Sequence, residues 1–251
     1  MGAFFLLLVF LPQATLAQTD QTVHQLADDL EVSRLSEGVW LHTTWRDLRG
    51  VGRFPSNGLI VVSDEKAMLI DTAWGDTLTE MLLHWIDAEL GASVESAVLT
   101  HAHDDRMIGI GVLKQAGVTS YALPQTLEGA ARQHWPLPDS VLAPTQRLSV
   151  GSRTVETFFP GPGHTPDNLA VWLPQEKLLF GGCMVRAAGA RSMGNVADAD
   201  VEEWPRSITN LLSRYHAVQT VVPSHGPVGD RGLLEHTLHL LQEHNAKKAG
   251  G

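Results

Sequence analysis

The sequence predicts an α/β protein of four layers, two mixed β-sheets packed face to face with helices on both outer faces. Three observations lead there. The periodic segments run β-rich, helix, strand, helix, then β-rich again. The 251 residues, 43% hydrophobic and 18% charged, suit one globular domain and exclude disorder or a fibrous repeat. Histidine, aspartate and cysteine recur where apolar runs end, and strand-end loops of layered α/β proteins gather at one edge, where ligands bind. No internal repeat marks the two halves.

The elements follow in order. Residues 3–11 are almost wholly apolar, and Pro12 and small residues at Ala14 and Ala17 come next, at the spacing a signal peptidase accepts. The run is too short to span a bilayer, so residues 1–17 are expected to be an export signal, although no Lys or Arg precedes them. Residues 18–251 then form a single mature domain. Residues 19–29 are polar and expected to be loosely ordered, and residues 30–43 read as strand turning at Ser36, Glu37 and Gly38. Residues 44–56 carry Trp45 and Phe54 among glycines and charges, which fits a mobile hairpin or an ordinary turn. Strands 58–63 and 66–71 precede a helix over 74–90. Asp71, a carboxylate at the end of an apolar strand, needs a partner, so it either caps the turn or orients a group above the sheet. An apolar run over 94–100 ends in His101-Ala-His-Asp-Asp-Arg106, and residues 107–114 have helical spacing. Beyond lie strand 118–122, helix 125–134, a loop with Pro136, Pro138 and Pro144, and strands 146–150, 154–159, 168–173 and 177–180. Helices 200–215 and 229–244 flank strand 217–222, and residues 247–251 should fray.

The net charge of −10, with no basic stripe, argues against nucleic acid or an anionic membrane surface as partner. Cys183 is the only cysteine, so an exported product has no internal disulfide and its lone thiol needs an explanation.

His101 and His103 stand one residue apart at a strand end and point the same way, able to chelate one metal. Asp105 follows, His164 lies in a Gly/Pro loop, and Cys183 and His225 each close a strand. These donors suit zinc. His101, His103 and His164 would make a three-histidine site with an open position, and Asp105, Cys183 and His225 a second site in which the thiolate accounts for the lone cysteine. For His24, His42, His84, His134, His216, His236, His239 and His244 a surface position is the better reading.

With these residues in place the chain resembles a class B (metallo-) β-lactamase of the dizinc subclass B1. The match covers essentially the whole mature chain. It includes PSNGLI at 55–60, LIDTAW at 69–74, GHTPDN at 163–168, GGC at 181–183 and GNVADAD at 194–200. Glyoxalase- and ribonuclease-like relatives usually carry histidine after the motif aspartate and a later bridging aspartate; here Arg106 and Cys183 stand there. The resemblance implies the αββα fold, two zinc ions divided as above, and hydrolysis of the amide bond of penicillins, cephalosporins and carbapenems by a zinc-bound hydroxide, with antibiotic resistance as the outcome. It implies Asn195 as oxyanion donor, otherwise a turn residue after Gly194, and Asp105 or a metal-bound water as proton source. Arg186 stands where many members have lysine and would hold the substrate carboxylate, with Arg191 as alternate. Arg106 would be buried, paired with Asp105 or the thiolate. Trp45 and Phe54 would lie on a flap and Trp74 at the pocket floor, unless all three simply pack. The expected partner is the small β-lactam alone, for a periplasmic monomer without stable membrane association. A lactonase or thioesterase of the same superfamily, and a non-catalytic zinc-sequestering protein, are the competing readings.

Overall fold

The computed structural model describes residues 22–249. Its first sheet has eight strands in chain order, β1 (Val23–Ala27), β2 (Leu30–Ser36), β3 (Val39–Leu48), β4 (Gly52–Ser63), β5 (Lys66–Ile70), β6 (Ser93–Val98), β7 (Thr119–Ala122) and β8 (Ser140–Val141). The second has five, β9 (Thr145–Val150), β10 (Arg153–Phe158), β11 (Ala170–Leu173), β12 (Leu178–Gly182) and β13 (Thr220–Pro223), with β13 and β9 at its edges. Hairpin-linked neighbours pair antiparallel. Parallel pairs need a crossover, and each has helix in it. α1 (Asp76–Leu90) joins β5 to β6, α2 (Asp104–Met107) and α3 (Ile110–Gln115) join β6 to β7, α4 (Pro124–Arg132) joins β7 to β8, and α5 (Trp204–Arg214) joins β12 to β13. α6 (Gly232–Ala249) closes the chain.

Strand alternation builds the layers. Leu59 and Val61 turn to the space between the sheets while Ile60 turns to the helices, and Met68 and Ile70 alternate with Ala67 and Leu69 in the same way. In the second sheet Val171, Phe180 and Val222 face inward, and Ala170, Leu179 and Val221 face α5 and α6. Three separate apolar clusters result, one between the sheets and one under each helical layer. Three apolar interfaces mean four layers, as expected from the sequence.

Four local expectations need correcting. Residues 23–27 are not loose but pair with β2, and His24 packs its ring against Trp40 and Trp85 at 5.8 and 5.2 Å. The helix over 107–114 is broken, because the Arg106 carbonyl accepts from the Thr72 amide (2.8 Å) and hydroxyl (3.1 Å) and cannot continue the helical ladder. The terminal helix runs to Ala249 instead of fraying at 247. His42 is not a surface residue: it is 1% exposed and fills the space a side chain at Gly58 would need, where a Cβ would lie 2.2 Å from its Nε2. The export signal at 1–17 and the last two residues lie outside the described residues.

Candidate metal centre

Each donor-bearing loop is fastened before it reaches the centre. β6 ends beside Asp71, a fully buried residue in the left-handed region at φ 64°, whose carboxylate accepts from the Thr100 amide (2.8 Å) and hydroxyl (2.9 Å). From the second sheet Asp167 accepts the Ala102 amide at 2.9 Å, and the Leu169 amide bonds the Thr100 carbonyl at 2.9 Å. His101 and His103 are thus clamped from both sheets. His164 sits in a loop closed by Asn168, which accepts the Thr165 amide at 3.0 Å, and its ring meets the edge of the buried Trp204 indole at 5.9 Å. Gly182, at φ 59°, makes the left-handed turn that presents Cys183, a backbone state costly for other residues. His225 donates from Nδ1 to the Pro55 carbonyl at 2.8 Å, which leaves Nε2 as a lone-pair donor.

The donor atoms then meet. His103 Nδ1 and His164 Nε2 are 3.2 Å apart, Cys183 Sγ and His225 Nε2 3.3 Å, and His225 Nε2 and Asp105 Oδ2 3.5 Å. His101 Nε2 is buried with no hydrogen-bond partner, while its ring lies 4.7 Å from that of His103 and 5.1 Å from that of His164. A buried unpartnered nitrogen beside converging lone pairs is costly for the protein alone and fits a cation with nitrogen, sulfur and oxygen ligands. Asp105, Cys183 and His225 form one compact group; two further groups, His101 with His103 and Asp105, and His101 with His164 and Cys183, overlap it, so the six side chains form one continuous cluster in which His101, His103 and His164 do not stand apart as a separate trio.

The electrostatics are arranged around Arg106, which is 0% exposed. It donates to Asp105 Oδ2 from Nε (3.0 Å) and Nη2 (2.7 Å), to the Asn57 carbonyl (2.6 Å), to Asp71 (3.2 Å) and to the Ser56 hydroxyl. Burial pushes the Asp71 carboxyl up to about 6 against the pull of Arg106. For Asp105 burial is the largest influence and acts upward, but Arg106, His225 and His101 together outweigh it and the pKa is lowered. Burial alone would raise the Cys183 thiol; His225, Arg106, His101 and His164 together hold it well below the ordinary thiol value, which favours the thiolate.

The cluster opens into a cleft of about 610 Å³ lined by Phe54, Trp74, Arg186 and Asn195 among the residues singled out from sequence. Phe54 lies on the His225 ring at 4.6 Å. Trp45 is not brought there: its register partner is Pro55, on the opposite face of the β3–β4 hairpin, where Arg53 covers it at 5.3 Å. Arg191 is exposed and does not line the cleft. Sequence reasoning missed Leu48, Val51, Gln133 and Trp135 on the cleft walls, and Asp198, whose carboxylate meets His103 Nε2 at 3.2 Å.

A family model described as the metallo-beta-lactamase superfamily matches residues 51–228. The chain belongs to the metallo-beta-lactamase superfamily. A metallo-beta-lactamase type 2 from Bacillus sp. (strain 170) is 40% identical over 238 residues, 93% of this chain and 92% of its own. Among solved structures, a metallo-beta-lactamase from Pontibacter korlensis is 46% identical with a TM-score of 0.83, covering 85% of this chain and 99% of its own. A Pseudomonas aeruginosa metallo-beta-lactamase solved in its mono-zinc form is 36% identical with a TM-score of 0.81, covering 87% and 98%. Family membership makes zinc the metal these donors are suited to, and the type 2 relative agrees with the B1 resemblance.

Proposed function

We propose that the chain is a dizinc B1 enzyme that hydrolyses the amide bond of penicillins, cephalosporins and carbapenems and thereby confers antibiotic resistance. That it is a zinc-dependent β-lactam hydrolase follows from its family. The observation that carries the finer reading is a cleft in which His103, Asp105, His164 and His225, part of the six-donor cluster, share the wall with a guanidinium, Arg186, that has no carboxylate partner among the described residues.

His101, His103 and His164 would hold one zinc, and Asp105, Cys183 and His225 the other. When bound, the ions supply Lewis acidity and an activated water at neutral pH. Arg186 binds the substrate carboxylate, bidentately where a lysine could offer only a point charge. Asn195 uses its Oδ1 to accept the Ala197 amide at 3.1 Å, which leaves its NH₂ free to donate to the developing oxyanion. Phe54 and Trp74 provide apolar contact for substrate, and Asp105 relays a proton released by the attacking water to the departing nitrogen. Trp45 supports the hairpin from behind.

The deciding assay is nitrocefin and imipenem turnover by purified protein alongside a metal count. Activity should vanish in excess EDTA, return with zinc, and accompany two zinc ions per chain; hydrolysis that persists in EDTA, or full activity in Cys183→Ala, sinks the dizinc assignment. The export reading rests on residues 3–17, and fractionation of cells expressing the full chain should place the mature domain in the periplasm. Among the described residues no helix is long and apolar enough to cross a membrane. Gel filtration should return a monomer.

A further inference from the structure

We infer that Arg46 is a positioning residue that clasps the β3–β4 hairpin to the loop carrying the metal-binding donors, and so sets where the hairpin tip stands over the cleft. The inference builds on the β-lactamase reading. Arg46 and Phe54 are register partners, and residues directly opposite in an antiparallel pair share a face, so one rung turns both side chains toward the centre. Phe54 rests on His225. Arg46 reaches the other side: Nη1 meets Asp104 Oδ2 at 3.0 Å, Nη2 donates to the Trp74 carbonyl at 3.2 Å, and the guanidinium carbon stands 4.5 Å from the Trp74 ring centroid.

Asp104 lies in sequence between the donors His103 and Asp105, so this contact joins the hairpin to the metal-binding loop itself. The three contacts use the fork, the plane and the charge of the guanidinium, a combination lysine cannot supply. One rung nearer the tip Arg53 donates to the Asp28 carbonyl on the outer face, and among the described residues no side chain of 47–52 hydrogen-bonds outside the hairpin, so on the cleft side the tip is held by Arg46. Leu48 and Val51, which line the cleft, ride on that tip. Asp104 also lines the cleft, and Arg46 neutralises a carboxylate that would otherwise face an anionic substrate. The pair is partly exposed, 39% and 46%, so salt screens it.

The test uses the zinc-loaded enzyme with Arg46→Gln, Arg46→Lys, Asp104→Asn and the Gln/Asn double variant. Trypsin can cut after Arg49 at the exposed turn, and the rate of that cut reads the hairpin independently of catalysis. An exposed ion pair with a cation–π contact predicts cleavage about three- to ten-fold faster in Arg46→Gln, with KM for nitrocefin raised by a similar factor and kcat within about two-fold. Arg46→Lys should fall between, the double variant should be cut no faster than Arg46→Gln, and added salt should move the wild type toward Arg46→Gln. Unchanged cleavage and KM in Arg46→Gln, or fully additive effects in the double variant, would overturn the clasp. Wild-type protein that turns over neither nitrocefin nor imipenem would overturn the functional reading instead, and the cleavage rates would still decide the clasp.

Discussion

Arg106 is the residue on which the buried polar centre depends, since a single guanidinium satisfies both Asp71 and Asp105 at 0% exposure. Replacing it with Met leaves two carboxylates buried without their cation, which should cost about 3–5 kcal/mol in urea unfolding of the metal-free protein. His42 makes a different prediction. Burial lowers its pKa from 6.5 to about 3, so in that window the unfolded chain takes up a proton that the folded chain refuses. A depressed histidine therefore contributes stability that is complete above pH 6.5 and is lost as pH falls, at up to about 1.4 kcal/mol per pH unit. His42→Leu should flatten the stability profile of the metal-free protein between those limits; an unchanged slope would show that His42 titrates normally. The six converging side chains stood out in the sequence because each follows an apolar strand, Asp105 at the start of α2 and the others in loops of distinctive composition. His42 was not, because its strand alternates without revealing that Gly58 opposite leaves room for a ring.

At the scale of elements, strands were more legible than helix continuity. Period-two alternation is local, whereas the break between α2 and α3 depends on Thr72, distant in sequence, taking the Arg106 carbonyl. Thr72→Val removes the hydroxyl that donates to that carbonyl and accepts the Gly109 amide at 3.3 Å. It should cost about 1–2 kcal/mol and speed hydrogen exchange at Gly109 relative to α1. The hairpin shows the other limit. Its aromatic residues marked it as unusual, but which of Trp45 and Arg46 meets the centre is set by a one-residue difference in register, and composition carries no register.

At the scale of the molecule, the layer order was readable from the sequence of periodic segments, but the unequal sheets, eight strands against five, were not, since short edge strands such as β8 carry little pattern. The donors divide across that architecture. His101, His103 and Asp105 follow β6 of the first sheet, while His164, Cys183 and His225 follow strands of the second. Each proposed zinc would thus draw ligands from both sheets, and its site exists only after they have docked. Bonds that form after the folding barrier leave the rate of folding alone and retard escape from the native basin. Stopped-flow traces with and without zinc should therefore show coincident refolding arms and an unfolding arm slowed by the metal, so that zinc prolongs the lifetime of the folded enzyme without hastening its birth; a faster refolding arm would mean that metal is captured before the sheets meet.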